Sequence, residues 1–266
     1  MRFESLDIEM LKSRFAEMGT GYSLVYQPTV PSTNDQALKV AENPEAENLL
    51  FTTEYQSAGK GRRGRGWDVT DNCSLTFSLL LRPEIPLQNL SMITLVMGMA
   101  VAEGIKKASG IDAKIKWPND IIYQGKKLCG ILTETSPDLK AVVIGVGLNV
   151  GLCEWPKELA EKAISLEECG WKEASREQVL CQILDSFHHL FALFSKSWDM
   201  TYLLEKYDSL LVHKDKRILI SAGKNSFEGI SEGIDKNGCL LVKKESGQVT
   251  LVSAGEVSVH GVYGVL

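Results

Sequence analysis

Residues 59 to 67 read GKGRRGRGW: four glycines, four cations and a tryptophan, with no acid between Glu54 and Asp68. Glycine lets a backbone come close to a ligand. Exposed N–H groups and guanidinium forks suit phosphate oxygens. The stretch has the chemistry of an anion cradle, and its glycines predict a loop that orders late, over what it binds. It is not a Walker A loop, which needs GK followed by Ser or Thr at a helix start. RNA-binding RGG tracts are longer and lie in disordered segments, whereas this one sits between two apolar strands. A solvated surface loop is the alternative that the nine residues alone leave open.

Two further signals lie downstream. In KWPND, residues 116 to 120, Lys116 closes a strand ahead of a stiff Trp–Pro turn. By itself it reads equally as a surface lysine, and Asn119 and Asp120 are ordinary turn formers. In KLCGIL, residues 127 to 132, Gly130 interrupts a strand. Such a glycine marks either a bulge or a place where a ligand lies on the backbone.

The elements that must position these residues are legible from pattern. A short amphipathic helix is predicted over 3–18 and a strand over 23–27. Ser32, Thr33 and Asn34 are all N-cap types ahead of a helical stretch. LLFTTEYQ and SLTFSLLLRP read as strands on either side of the cationic loop. Residues 89–110 form a long apolar helix closed by Gly110. Three short strands follow up to residue 135, then the continuous apolar strand AVVIGVGLNV. A helix over 175–198 carries a core stripe from Val179 to Phe194, and a second short helix ends near Leu211. Beyond residue 213 five short strands follow, with turns at Asn237–Gly238 and Ser246–Gly247. The division is therefore drawn as residues 1–213, an α+β domain, and 214–266, a small β-barrel or sandwich.

Composition limits the function classes. The chain has 266 residues, 44% of them hydrophobic, and a net charge of −5. A general nucleic-acid binder is usually basic, so the cationic loop serves a local anion. The N-terminus lacks a signal-peptide pattern and no apolar run reaches membrane-span length. Six scattered cysteines without a CxxC pair suit reduced thiols in a cytoplasmic protein. His188 and His189 are adjacent in a helix and cannot face one ion, so no metal site built from protein ligands alone is expected.

Taken in order, STN (32–34), QSAGKGRRGRGW (56–67), KWPND (116–120), KLCGILTE (127–134), GVGLNV (145–150) and GIDKNGCLLV followed by GEVSV resemble the motifs of biotin protein ligases. The resemblance runs from about Tyr22 to Gly261. It implies a class II aminoacyl-tRNA-synthetase-like mixed sheet flanked by helices, with a C-terminal SH3-like barrel. It also implies ATP-dependent formation of biotinyl-5′-AMP, then transfer to a lysine of a biotin carboxyl carrier protein. Bifunctional relatives carry an N-terminal winged helix-turn-helix; about 22 residues precede the matching part here, so no DNA-binding repressor role is expected.

By family position, Ser32, Thr33, Asn34 and Gln56 face the ureido ring, whose one acceptor and two donors such groups satisfy. Gly59 and Gly130 lie beside them, and the strand from Leu128 to Leu132 walls the apolar part. Arg62 and Lys116 are the expected catalytic cations, near the biotin carboxylate and the α-phosphate. Arg63 and Arg65 are assigned to the outer phosphates with a magnesium ion. Trp67 shields the adenylate, with a core aromatic as its alternative, and Asn119 and Asn149 lie on the nucleotide side. Lys60 stands where many relatives have arginine, and lacks the bidentate fork. The resemblance names no general base for the transfer step and leaves monomer or homodimer open. A lipoate or octanoate ligase of the same fold is the nearest rival, and a small nucleic-acid-binding protein a more distant one.

Overall fold

Eight-residue apolar runs such as SLTFSLLL bury both faces only in a sheet covered on each side, and that arrangement organises this chain. The structure is a computed structural model that describes residues 4–19, 21–67, 73–152, 155–222, 225–259 and 262–263. Cys153, His260 and Gly261 fall outside them. In chain order the first elements are α1 (Ile8–Met18), β1 (Ser23–Val30), α2 (Thr33–Ala41), β2 (Leu49–Gln56) and β3 (Ser74–Leu81). They continue with α3 (Met92–Ser109), β4 (Lys114–Lys116), β5 (Asp120–Tyr123), β6 (Lys126–Thr135), β7 (Val142–Asn149), α4 (Arg176–Phe194) and α5 (Leu204–Leu210). The last strands are β8 (Arg217–Ala222), β9 (Asn225–Ile234), β10 (Leu240–Lys243), β11 (Val249–Val252) and β12 (Glu256–Val259).

The first seven strands form one mixed sheet in the order β1-β2-β3-β7-β6-β5-β4, with β1 and β2 parallel and the other pairs antiparallel. The last five form an antiparallel sheet in the order β11-β10-β9-β8-β12. Strand parity sorts side chains to the two faces. On β7, Val142, Ile144, Val146 and Leu148 join the core beneath α3 and α4. Val143 faces the other way, toward α2, and the next residues of that parity are Gly145 and Gly147. The outer face is thus apolar at one end and bare at the other.

The first helix departs from the sequence reading. It starts at Ile8, not Phe3, with Asp7 as N-cap accepting from Met10 N. The residues before it are committed elsewhere: Leu6 N donates to Glu54 Oε1 at 2.7 Å, and Glu4 O accepts from Arg176 Nη2 at 2.7 Å. Arg176 also reaches Glu54 Oε2 at 2.6 Å, and both side chains are nearly out of contact with water.

Hydrogen bonds tie the two sheets together. Trp117 Nε1 donates to Gly238 O at 3.1 Å, and Trp117 N donates to His213 Nε2 at 3.2 Å. His213 Nδ1 meets Ser231 Oγ at 2.9 Å. Burial pushes the His213 pKa down from 6.5 to about 4. Its ring is therefore neutral, as an imidazole that accepts a backbone N–H must be.

Candidate functional site

Two rows of cross-strand neighbours make the floor of a cleft on the bare end of the sheet. One row is Thr76, Gly147, Gly130 and Asp120; the other is Ser78, Gly145 and Leu132. The glycines are there because side chains from elsewhere lie on them. A Cβ on Gly147 would sit 2.4 Å from Trp67 Cε2, and one on Gly145 would sit 2.2 Å from Asn34 Oδ1. Trp67 also covers Gly130, with Lys127 Nζ alongside.

The wall beside this floor is the start of α2. Ser32 caps the helix by accepting from Asp35 N. Thr33 N and Oγ1 both donate to Gln56 Oε1, at 2.8 and 3.0 Å. Asn34 donates to Leu132 O at 3.2 Å and to Glu134 Oε2 at 2.7 Å, and Ser78 Oγ lies 2.6 Å from its Oδ1. The three N-cap residues and Gln56 are therefore together, as expected, and line one cleft with about 440 Å³ of empty space. Their bonds to one another hold each in a single orientation. Two buried polar atoms at the cleft have no protein partner: Thr76 Oγ1 and Trp67 Nε1. Such atoms are costly to bury and are matched by a ligand when one binds.

The cationic loop is a small hairpin. Trp67 N donates to Gly59 O at 2.9 Å, Gly61 N donates to Arg65 O at 2.8 Å, and Lys60 bridges Gly66. Arg63, at φ 59, turns the tip. Gly59 is needed for closure: a Cβ there would sit 2.3 Å from Trp67 O. Lys60 reaches back to Asp35, while Arg63 and Arg65 both pair with Glu256 on β12.

A second cleft adjoins the first and shares Gly61, Arg62, Trp67, Asn119 and Lys127 with it. Its other walls include Arg63, Arg65, Lys116, Asp120, Glu256 and Tyr263. Arg62 Nη1 donates to Asn119 Oδ1 at 2.7 Å. Burial lowers the Lys116 pKa from its ordinary value, and burial followed by the Arg63 charge lowers that of Arg62. Both are half-buried cations that have lost part of their hydration, so an anion arriving beside them is attracted more strongly than at the open surface. Burial alone would raise Asp120, but Lys127 at 2.7 Å and the Tyr263 hydroxyl at 2.6 Å outweigh it and hold the carboxylate below its usual range.

Two expected residues, Leu128 and Asn149, are not in the walls of these two clefts. Leu128 is fully buried in the core, on the far face of the sheet. The register between β5 and β6 slips by one residue there, with Ile121 opposite Cys129 and Ile122 opposite Lys127. The slip turns Leu128 inward, and Lys127, Gly130 and Leu132 line the cleft instead. Asn149 lines neither cleft; its amide donates to Ile164 O at 3.1 Å and Lys127 O at 3.4 Å, pinning the chain after β7 to the sheet edge. Sequence reading also passed over Thr76, Lys127, Gly145, Gly147, Glu256 and Tyr263. Only the two glycines inside an apolar strand gave a local signal.

The chain matches the Biotin/lipoate A/B protein ligase family over residues 26–149 and the Biotin protein ligase C terminal domain over 215–259. It is 35% identical over 240 residues to the bifunctional ligase/repressor BirA of Bacillus subtilis (strain 168), covering 88% of this chain and 73% of that one. The chain belongs to the biotin protein ligase family. It is also 29% identical over 258 residues to the biotin–[acetyl-CoA-carboxylase] ligase of Mycobacterium tuberculosis, covering 95% of each. Among solved structures, the biotin protein ligase of Aquifex aeolicus in complex with biotin and ATP superposes with a TM-score of 0.77 at 28% identity, over 90% of this chain and 98% of that one. The two sheets described above are those of a biotin ligase. Among the described residues no helix is long and apolar enough to cross a membrane.

Proposed function

We propose that this ligase forms biotinyl-5′-AMP from biotin and ATP and passes the biotinyl group to a lysine of a biotin carboxyl carrier domain, as the name of the Mycobacterium tuberculosis relative suggests. The observation that carries the proposal is the position of Arg62, in the wall of both clefts. The first cleft offers fixed hydroxyls and amides from Ser32, Thr33, Asn34, Gln56 and Thr76, which suit a ureido ring and a small apolar body. The second is cationic and suits a triphosphate. A carboxylate in the first cleft and an α-phosphate in the second meet beside Arg62, with Lys116 and Lys127 close by.

In the first step the carboxylate attacks the α-phosphorus and pyrophosphate leaves. Two anions must approach, so catalysis is positioning and charge neutralisation. Arg62 and Lys116 supply it, and losing either costs roughly 3 kcal/mol, about a hundredfold in rate. Trp67 roofs the anhydride and Arg63 and Arg65 take outer phosphates, leaving Glu256. A magnesium ion bound with the triphosphate would supply further charge neutralisation there. In the second step the carrier amine attacks the acyl carbon and AMP leaves, with Lys116 beside the developing oxyanion. Residues 1–213 are the proposed catalytic domain and 214–266 close the nucleotide side.

No DNA-binding role is part of the proposal: Lys60, Arg63 and Arg65 are each engaged by an acidic partner at the cleft, and the chain is acidic overall. A cytoplasmic site of action is part of the same proposal. The test is mass spectrometry of an apo carrier domain incubated with the protein, ATP and either biotin or lipoate. One biotinyl group on one lysine supports the proposal. Modification by lipoate alone would move the chain to the sister activity, and none with either would refute it.

A further inference from the structure

We propose that Tyr263 is a positioning residue for adenylation, which holds Lys116 with its ring and Asp120 with its hydroxyl. Near its C-terminus the chain returns to the catalytic sheet. Tyr263 N donates to Gly125 O at 2.8 Å, and Val262 is buried beside it. The Lys116 ammonium sits 4.3 Å from the centroid of the Tyr263 ring. A lysine head on four methylenes is mobile unless something fixes it. An aromatic face attracts the cation and keeps water from it.

The hydroxyl acts on the other side. It donates to Asp120 Oδ2 at 2.6 Å. Asp120 Oδ1 pairs with Lys127 Nζ at 2.7 Å and accepts from Asn119 Nδ2 at 3.3 Å. Asn119 Oδ1 in turn holds Arg62 at 2.7 Å. One side chain from the end of the chain thus connects to Lys116, Lys127 and Arg62. Burial and the Asp120 charge push the Tyr263 hydroxyl up, so it remains a donor at any working pH. The charged groups that act on Lys116 are Asp120 and Lys127 on β5 and β6, Glu256 on β12 and Arg65 on the loop; His213, behind Trp117, is neutral and in turn feels the Lys116 charge.

The inference rests on the proposed role of Lys116, and its test separates the two. Tyr263→Ala, Tyr263→Phe and Lys116→Ala are assayed in the full chain by biotin-dependent ATP–pyrophosphate exchange across pH, with thermal melts alongside. Tyr263→Ala is expected to lower kcat on the order of tenfold or more, with KM for biotin changed less. Its alkaline limb moves, because losing the ring changes both the burial and the aromatic attraction that set the Lys116 pKa. Tyr263→Phe keeps the ring and the position of that limb. It loses about threefold, and loses nothing further in an Asp120→Asn background. Tyr263→Ala with the wild-type kcat and limb would overturn the proposal, as would Phe and Asn effects that simply add. Should Tyr263→Ala not fold, the Phe and Asn cycle decides alone. Lys116→Ala with normal exchange would instead remove the reading of the site on which this inference rests.

Discussion

Gly147 is one of the glycines in the site at which a Cβ would strike another side chain. Its backbone φ is one that any residue adopts, so Gly147→Ala adds a methyl and nothing else. That methyl would lie 2.4 Å from Trp67 Cε2 and 2.5 Å from Nε1. Carbon–carbon contacts are comfortable near 3.5 to 4.0 Å, so the indole must retreat by about 1 Å or more. Overpacking of this kind costs about 1–3 kcal/mol, and a displacement of about 1 Å next to the reacting groups costs on the order of a hundredfold in rate. Biotin-dependent ATP–pyrophosphate exchange should fall by about 30- to 100-fold in kcat/KM, equivalent to roughly 2–3 kcal/mol. In a Trp67→Ala background the methyl has nothing to strike. There Gly147→Ala should cost little, so the two effects are strongly non-additive. Wild-type exchange in Gly147→Ala, or two effects that add, would refute the claim that these glycines exist to seat the tryptophan.

Arg176→Ala leaves Glu54 buried without its partner; it should cost about 3 kcal/mol or more and lower Tm by roughly 6 °C or more, and an unchanged melt would show that the N-terminal segment is held by other bonds. His213 is neutral in the fold with a pKa near 4 against an ordinary 6.5. The unfolded chain binds its proton first as pH falls, so stability is full above about 6.5 and declines toward pH 4, by up to about 3 kcal/mol; melts of His213→Gln should show a flatter dependence over that window. Glu256→Gln releases Arg63 and Arg65, both substantially exposed, so stability should change by less than about 1 kcal/mol. KM for ATP should fall about two- to fivefold at low salt and less at high salt; a rise would mean that Glu256 positions the loop instead of competing with phosphate.

Local chemistry marks the loop and the N-cap triplet in the sequence, because each announces itself over a few residues, whereas Lys116 stands out only through the family resemblance. What the chain brings from afar stayed hidden. Glu256 meets Arg65, and Tyr263 meets Lys116, across the join between the two sheets, and nothing near either residue marks that contact. Leu128 is expected in the apolar wall, but the register slip at Ile121 and Ile122 buries it in the core, which nothing in KLCGIL signals. Asn149 is expected on the nucleotide side from the resemblance alone, and nothing local shows that its amide also holds the returning segment at Ile164. Gly145 and Gly147 were visible as letters, yet their meaning depends on Asn34 and Trp67, which lie on them. The first helix begins late because Arg176 and Glu54 draw the preceding residues away, an attraction that helical spacing does not record.

The most direct test of the central claim is ATP–pyrophosphate exchange by purified protein with biotin, with lipoate and with neither. Exchange that requires biotin, and that falls about a hundredfold in Arg62→Ala, is the predicted result. Exchange that is independent of biotin, or undiminished without Arg62, would contradict the account of two clefts that meet at that guanidinium.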